Sequence, residues 1–390
     1  MNRIKSLAIT GIAILALVAC SPSTATVPQV ATTIPQATVA QATATMPQAT
    51  EEAVVEVTQA PVSFPLSESG PYFPGKRAYS FVDANRNDRK VDVIVWYPAI
   101  RPEGYTGTVA RNAAPDLSAA PYPLILSSAK VGNLFAPHLV SHGFVVAGVD
   151  RLDYYIPWDQ NLIDQPLDIL FALNQIASDP LEGLEGIIDA DHAGAMGYSF
   201  DGYNALALSG ARVDPEFYLE QCAQASSLEP ALDSFWTSYY CTISSNWEQF
   251  AAHAGEALTT SDDGLWQPMT DERIRAVMPM APEGAWLFGE RGLAAVNRPT
   301  LIIGATEDKD CDYHREAVYI FEHLGTPDRA MISFVGQGHM MVFDSDPAAR
   351  MKHFATAFFG YHLQGRADYA EYFSEDFVAQ YDDLAWGVAP

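Results

Sequence analysis

Basic residues and cysteines are scarce in this sequence. Its 390 residues include 22 Lys and Arg against 48 Asp and Glu, a formal net charge of −26 at pH 7. Most surfaces of such a chain repel phosphate backbones, so we expect no nucleic-acid partner. The four cysteines are too few for a disulfide scaffold, and no Cys-x-x-Cys pair indicates a zinc site. We therefore expect neither a metal nor another cofactor.

Apolar residues, by contrast, are plentiful. Hydrophobic residues make up 48% of the chain and aromatic residues 11%. This is enough to fill a large core, so disorder throughout the chain is excluded. The length allows one large domain or two ordinary ones. Composition alone thus describes an acidic globular protein and does not say what it does.

The N-terminal residues combine a basic start with a short apolar run. Arg3 and Lys5 precede an apolar stretch over residues 7–19, which is too short to span a bilayer comfortably. The run ends in Leu-Val-Ala followed by Cys20, which resembles the lipobox of bacterial lipoproteins, where cleavage precedes an acylated cysteine. The pattern predicts a signal peptide over residues 1–19 and an extracytoplasmic protein held on a bacterial membrane by lipid at Cys20. The alternative is a simple secreted protein with a chance cysteine.

A biased segment follows the proposed cleavage point. Residues 20–62 consist largely of Ala, Thr, Pro, Gln and Val, with repeated Pro-Gln pairs and no aromatic residue. Such a segment cannot bury enough surface to offset its ordering entropy, so it predicts a disordered tether. We expect a single folded domain over residues 63–390.

Short β-like runs alternate with helical patterns after Phe64. Continuous apolar strands between helices predict an α/β domain, an eight-stranded and mostly parallel sheet with helices on both faces. The predicted strands are residues 77–82, 91–96, 123–126, 144–149, 193–196, 276–280, 300–303 and 331–335. The predicted helices are residues 134–141, 166–176, 202–208, 314–324 and 347–361.

A long aromatic-rich insertion over residues 213–271 interrupts this alternation. Long insertions in compact domains tend to be lids or binding loops. The alternative is a peripheral helical decoration with its own small core. Cys222 and Cys241 both lie in the insertion, and an extracytoplasmic location permits their pairing as a disulfide, which would leave Cys311 unpaired.

A nucleophile motif follows the predicted strand at residues 193–196. The chain reads Gly-Tyr-Ser-Phe-Asp-Gly around Ser199 and then becomes helical, close to the strand-to-helix turn that exposes a serine hydroxyl above a sheet. The amide of Phe200, at the helix N-terminus, is a candidate oxyanion donor. Asp201 stands where the motif usually has its second Gly, and its charge is favourable for the helix dipole but also a possible hindrance to the site.

Partners for this serine occur at two later strand ends. A serine hydroxyl needs a base, and the base needs an orienting carboxylate. Asp308 follows the strand at residues 300–303, and His339 follows the strand at residues 331–335 in a Gly-rich turn. The order Ser, Asp, His along the chain is the order of this fold class. We therefore predict a catalytic triad of Ser199, Asp308 and His339.

These motifs together resemble the α/β-hydrolase superfamily, and within it the predicted dienelactone hydrolase and platelet-activating-factor acetylhydrolase-like group. The resemblance covers most of residues 70–362. It is carried by residues 70–72, 95–99, 274–282 and 304–308, by the motif at Ser199 and by Gly338-His339. The resemblance implies a second oxyanion donor in the loop after the third strand, here Ala129 or Lys130. That loop departs from the family pattern, since it reads Ser-Ser-Ala-Lys instead of Ser-His-Gly-aromatic.

The resemblance implies hydrolysis of a carboxylic ester through an acyl-enzyme on Ser199. Tyr154, Trp158 and Trp286 follow strand ends and are candidates for substrate binding, although such aromatic residues can equally belong to the core. An aromatic wall suits small-molecule or lipid esters, including short-acyl phospholipids and polyester chains, and we expect a monomer. Two alternatives remain. One is a catalytically impaired binding lipoprotein, suggested by Asp201 and the altered loop. The other is a peptidase or amidase of the same fold.

Overall fold

Short apolar runs form the strands of one large sheet. The computed structural model describes residues 63–150, 157–228 and 231–389. Runs rich in Val, Ile, Leu and Met become strands because both of their faces are buried under helices. Strands β1 to β10 are Phe73–Asp83, Arg89–Ala99, Ala110–Arg111, Tyr122–Ser128, Val145–Val149, Ile188–Tyr198, Ile274–Met280, Thr300–Ala305, Arg329–Phe334 and Leu384–Trp386.

The sheet is mostly parallel, with antiparallel pairing toward both edges. Its order is β10-β9-β8-β7-β6-β4-β5-β2-β1-β3. The six strands from β9 to β5 in this order run parallel, whereas β2 pairs antiparallel with β5 and with β1, and β10 pairs antiparallel with β9. The predicted eight strands are all present. The number eight is wrong, because two short edge strands, β3 and β10, extend the sheet of the described residues to ten.

Helices cover both faces of this sheet. On one face, α1 and α10 pack through residues such as Phe135 and Phe354. On the other face, α2, α3, α8 and α9 pack through residues such as Leu173 and Tyr203. Helices α1 to α11 are Ala129–Ser141, Asn161–Ser178, Phe200–Leu208, Pro215–Gln224, Ser234–Tyr240, Trp247–Ala254, Glu256–Thr259, Ala285–Leu293, Tyr319–His323, Ser345–Gln364 and Glu375–Val378. A π-helical turn, His314–Val318, directly precedes α9.

The insertion shares its core with the rest of the domain. It contains α4 to α7, and its buried aromatic residues, including Tyr218, Tyr240 and Trp266, belong to the same cluster as Tyr203 of α3 and Leu287 of α8. The alternative of a peripheral decoration with its own core is therefore wrong. Apolar contact with α3 and α8 fixes the insertion against the end of the sheet where β6 and β7 finish.

A disulfide closes the insertion on itself. Cys222 in α4 and Cys241 after α5 are bonded, as expected, and Cys311 is the free and buried cysteine of the described residues. We expect the Cys222→Ser, Cys241→Ser double variant to lose about 3 kcal/mol of unfolding free energy, because the bond closes a loop with a sequence separation of 19. Thermal denaturation with and without a reducing agent measures this loss. An unchanged melting temperature in the double variant would contradict it.

Several predicted features lie outside the described residues. They are the signal peptide over 1–19, the lipidation site Cys20, the tether over 20–62 and the substrate-binding candidate Tyr154. Within the part of the chain that the structure covers, no helix has the length and apolar character needed to cross a membrane.

Candidate active site

The backbone at Ser199 has the shape of a sharp strand-to-helix turn. Ser199 lies between β6 and α3 with φ 60° and ψ −127°, a region that non-glycine residues rarely occupy. The turn is possible because strand and helix nearly touch: a Cβ on Gly197 would lie 1.7 Å from the carbonyl oxygen of Asp201. Gly202 similarly lies against Pro282. The strained backbone lifts the Ser199 side chain away from the sheet edge.

The three residues predicted as a triad form one chain of hydrogen bonds. Ser199 Oγ lies 2.9 Å from His339 Nε2, and His339 Nδ1 lies 2.8 Å from Asp308 Oδ2. They meet because β6, β8 and β9 are parallel and end at the same edge, with Ala305 of β8 paired to Phe334 of β9. Since a carboxylate only accepts, His339 donates from Nδ1 and its Nε2 lone pair accepts from the Ser199 hydroxyl.

The loop after β8 holds Asp308 rigidly. The amides of Asp310 and Cys311 both donate to Asp308 Oδ1, each at 2.9 Å. Asp308 Oδ2 is thereby left to face His339. Asp312, another acidic residue of this loop, has different hydrogen-bond partners: its Oδ1 accepts from the amides of His314 and Arg315. The carboxyl group in contact with His339 is thus that of Asp308.

His339 has a raised pKa despite its burial. Burial of the imidazole acts to lower its pKa, but the hydrogen bond and the negative charge of Asp308 raise the pKa by more. The charges of Asp310 and Glu283 raise it further. The pKa of His339 therefore lies above its usual value of about 6.5. The hydroxyl of Tyr198 donates to the backbone carbonyl of His339 at 2.5 Å, which holds the backbone of His339 in place. An imidazolium formed on His339 is stabilised by three carboxyl groups.

The predicted oxyanion donors lie at two helix starts near Ser199. Phe200 is the first residue of α3, and Ala129 and Lys130 are the first two residues of α1. The first backbone N–H groups of a helix have no partner within the helix, so they are available to an anion. Gly148 of β5 allows this arrangement, because a Cβ there would lie 2.8 Å from the Cα of Ala129. Both segments can thus present amide groups at one edge of the sheet.

The two described aromatic candidates differ in their surroundings. Trp158 is fully buried, and its indole N–H donates to Glu283 Oε2 at 2.8 Å. Its ring is therefore a core side chain beside the site, which is one of the two alternatives that the sequence left open for it. Trp286 stacks on Tyr240 with ring centroids 5.6 Å apart and lines a cavity of about 240 Å³ together with Glu316. Trp286 therefore remains a candidate for substrate binding.

The sequence did not single out Glu283, which lies just after β7, between the loops of Ser199 and Asp308. Its buried carboxyl group accepts from Trp158 and from the hydroxyl of Tyr239, the latter at 3.1 Å. Burial raises the pKa of Glu283 to about 7, although these hydrogen bonds act to lower it. A polar residue at the carboxyl end of a central parallel strand was the available signal. Glu283 places a titratable charge near His339.

Cys311 is a second residue whose place was unforeseen. Its buried Sγ lies 3.8 Å from Ser199 Oγ, and its amide is one of the two that hold Asp308. Burial raises the pKa of the Cys311 thiol well above its usual value, with the charges of Glu283 and Asp308 adding to the effect. The sulfur therefore stays a neutral thiol beside the serine hydroxyl.

No family model matches the chain, and no curated protein matches it. Among the residues described above, no group of three or more His, Cys, Asp or Glu side chains is placed to hold a metal ion.

Proposed function

We propose that this protein is a serine hydrolase that cleaves carboxylic esters through an acyl-enzyme on Ser199. The observation that carries the proposal is the hydrogen-bonded chain from Ser199 through His339 to Asp308, at 2.9 and 2.8 Å. A serine in a strained turn, a histidine with its free lone pair on that serine, and a carboxylate that fixes the histidine tautomer are the parts of an activated nucleophile.

The reaction proceeds in two transfers. Ser199 Oγ attacks the ester carbonyl carbon while its proton passes to His339 Nε2, and the carbonyl oxygen becomes an oxyanion facing the amides of Phe200 and of Ala129 or Lys130. The tetrahedral species collapses, the bond to the alcohol breaks, and the alcohol leaves with the proton from His339. Water then attacks the acyl group, gives its proton to His339, and releases the carboxylic acid as Ser199 regains its proton.

The α/β-hydrolase fold, with likeness to the dienelactone hydrolase and platelet-activating-factor acetylhydrolase-like group, belongs to this proposal. It is supported by the parallel strands from β5 to β9, the turn at Ser199, and the order of Ser199, Asp308 and His339 along the chain. We also propose a monomeric enzyme outside the cytoplasm, anchored by lipid at Cys20. The sequence pattern at residues 1–20 supports that location.

The surroundings of the site favour acyl esters, including short-acyl phospholipids and polyester chains. Trp286 and Tyr240 present aromatic surface at a cavity, and aromatic surface favours acyl and aryl groups. Glu283 and Glu316 are buried carboxyl groups near the same aromatic cluster, and burial raises the pKa of both. Lys309 and Arg315 also line that cavity, so the preference for neutral acyl esters rests on the aromatic surface.

A fluorophosphonate probe and a panel of esters test this proposal on the full chain. We expect covalent labelling at Ser199, turnover of p-nitrophenyl esters, and much slower turnover of the matching anilides. A matched control is Ser118→Ala, which removes an exposed serine and should leave labelling unchanged. Absence of both labelling and ester turnover would favour the binding lipoprotein, and faster anilide cleavage would favour the amidase.

The proposed reaction should lose activity in acid at a pH set partly by Glu283. His339 must be neutral to accept the Ser199 proton, so kcat/KM falls as pH drops through a pKa that is raised above its usual value. Glu283→Gln removes a carboxyl group whose negative charge, present as pH rises through its own pKa of about 7, raises the pKa of His339. We therefore expect the acid limb of the pH profile to move to lower pH.

The measurement is kcat/KM from about pH 5 to about pH 9 for both proteins. Glu290→Gln is the matched control, because the Glu290 side chain is 69% exposed and should leave the profile unchanged. An acid limb that stays in place or moves upward in Glu283→Gln would contradict the expected coupling between Glu283 and His339.

A further inference from the structure

Asp201 occupies the motif position where a glycine is usual, yet its side chain is fully used. The residue is 1% exposed. Its Oδ2 accepts from the Ser128 hydroxyl at 2.8 Å, and its Oδ1 accepts from the Asn204 amide at 3.2 Å. The carboxylate thus points toward the junction of β4 and α1, where these two neutral donors hold it.

Ser128 connects this carboxylate to the start of α1. Its hydroxyl donates to Asp201 and also accepts from the amide of Val131 at 3.2 Å, which caps the helix. Ser128 immediately precedes Ala129 and Lys130, and Asp201 immediately follows Phe200. The hydrogen bond between Ser128 and Asp201 therefore joins the two chain segments that carry the oxyanion donors.

The charge of Asp201 is partly balanced by a lysine in the first turn of α1. Lys130 Nζ lies 3.9 Å from Asp201 Oδ2, and the Lys130 side chain is half-exposed. A buried carboxylate without a partner would oppose a developing oxyanion nearby, because like charges repel strongly at low dielectric. With Ser128, Asn204 and Lys130 around it, the carboxylate can serve as an anchor without leaving its charge uncompensated.

We propose that Asp201 is a positioning residue that sets the separation between the amide of Phe200 and the amides of Ala129 and Lys130. The proposal rests on the esterase function proposed above. Oxyanion donors act on charge that develops only in the transition state. Loss of the anchor should therefore lower kcat and leave KM nearly unchanged. In this chain, the hydrogen bond of Asp201 to Ser128 then sets the geometry of the oxyanion donors at a position where a glycine is usual.

Four variants of the full chain test this role: Asp201→Ala, Ser128→Ala, the double variant and Asp201→Asn. We expect about a 10-fold loss of kcat in each alanine variant, since complete removal of one oxyanion donor costs about 100-fold or more. The double variant should be no slower than the slower single one, because both remove the same bond. Asp201→Asn keeps an oxygen for the Ser128 hydroxyl and should retain most of kcat.

The controls separate positioning from general destabilisation. Asp168 is another buried aspartate, bonded to Arg86 and Arg89, and Asp168→Ala should lower the melting temperature without lowering kcat. Ser128→Ala removes only one oxygen, so it keeps the test available if Asp201→Ala fails to fold. A rise of KM in place of a fall of kcat, or an Asp201→Asn variant as slow as Asp201→Ala, would overturn the proposal.

Thermal denaturation makes the two proposals separable. The cycle of Ser128→Ala, Asp201→Ala and the double variant should be non-additive in melting temperature whether or not any ester is hydrolysed. If wild type is inactive on every ester but the cycle is non-additive, the esterase function fails while the anchor between the two segments stands. If wild type is active and Ser128→Ala, Asp201→Ala and the double variant all have the wild-type kcat, the positioning role fails while the esterase function stands.

Discussion

Replacing Ser199 by alanine is expected to lower kcat for ester hydrolysis about a million-fold, to a residual rate set by binding and oxyanion contacts alone. The variant lacks the oxygen that forms the acyl-enzyme, while His339 and Asp308 keep their mutual hydrogen bond. The neighbouring thiol of Cys311 cannot take over, because burial raises its pKa far above neutrality and keeps it protonated. Fluorophosphonate labelling should disappear together with turnover.

The variant is best measured with a chromogenic ester and an intact-mass assay for the acyl-enzyme. The melting temperature should stay close to that of wild type, since only one partly buried hydroxyl is lost. Substrate binding should persist in the inactive protein. A kcat within about 100-fold of the wild-type value, in place of the expected million-fold loss, would mean that a group other than Ser199 attacks the ester.

The second large effect is expected for Asp308→Asn, at about a 10⁴-fold loss of kcat. The structure gives the reason. Asp308 Oδ1 accepts two amide hydrogens, from Asp310 and Cys311, so the oxygen of an asparagine must occupy that position. Its NH₂ group then faces His339 Nδ1 and donates to it. His339 is forced into the tautomer that carries its proton on Nε2, and it can no longer accept the proton of Ser199.

Asp312→Asn is the matched control for this experiment. Asp312 lies in the same loop and its Oδ1 also accepts two backbone amides, those of His314 and Arg315, but it does not contact His339. We expect that variant to keep kcat within about two-fold, as is usual for a change away from the reacting groups. Comparable kcat values for Asp308→Asn and wild type would show that another carboxyl group, such as Glu283, orients the imidazole.

The strands that carry the candidate site could be predicted from sequence because they are buried on both faces. Runs such as residues 300–303 and 331–335 are almost continuously apolar, so the sequence also indicates roughly where each strand ends. The edge strands could not be found in this way, because Ala110–Arg111 and Leu384–Trp386 contain only two and three residues. The start of α1 was placed at residue 134 instead of Ala129, since Lys130, Gly132 and Asn133 interrupt the apolar period.

The candidate site divides in the same way. Ser199, Asp308 and His339 could be singled out because each follows a strand in the order of a known motif, and the structure brings them together. The contact between Tyr239 and Glu283 joins residues 44 positions apart through an insertion, and no periodic pattern encodes such a pairing. For Trp158, the other partner of Glu283, the sequence could not separate a pocket position from a core position, because pockets and cores share the same aromatic composition.

The contact between Ser199 and Cys311 has a consequence for how inhibitor profiles would classify this protein. A small mercurial that reaches Cys311 would bond to a sulfur 3.8 Å from the Ser199 oxygen and block the hydroxyl sterically. A mercurial would then inhibit the protein as it inhibits cysteine-dependent hydrolases, although the nucleophile here is an oxygen. Cys311→Ala would abolish that sensitivity and keep its reactivity toward fluorophosphonates, so the two reagent classes diagnose neighbouring atoms of one site.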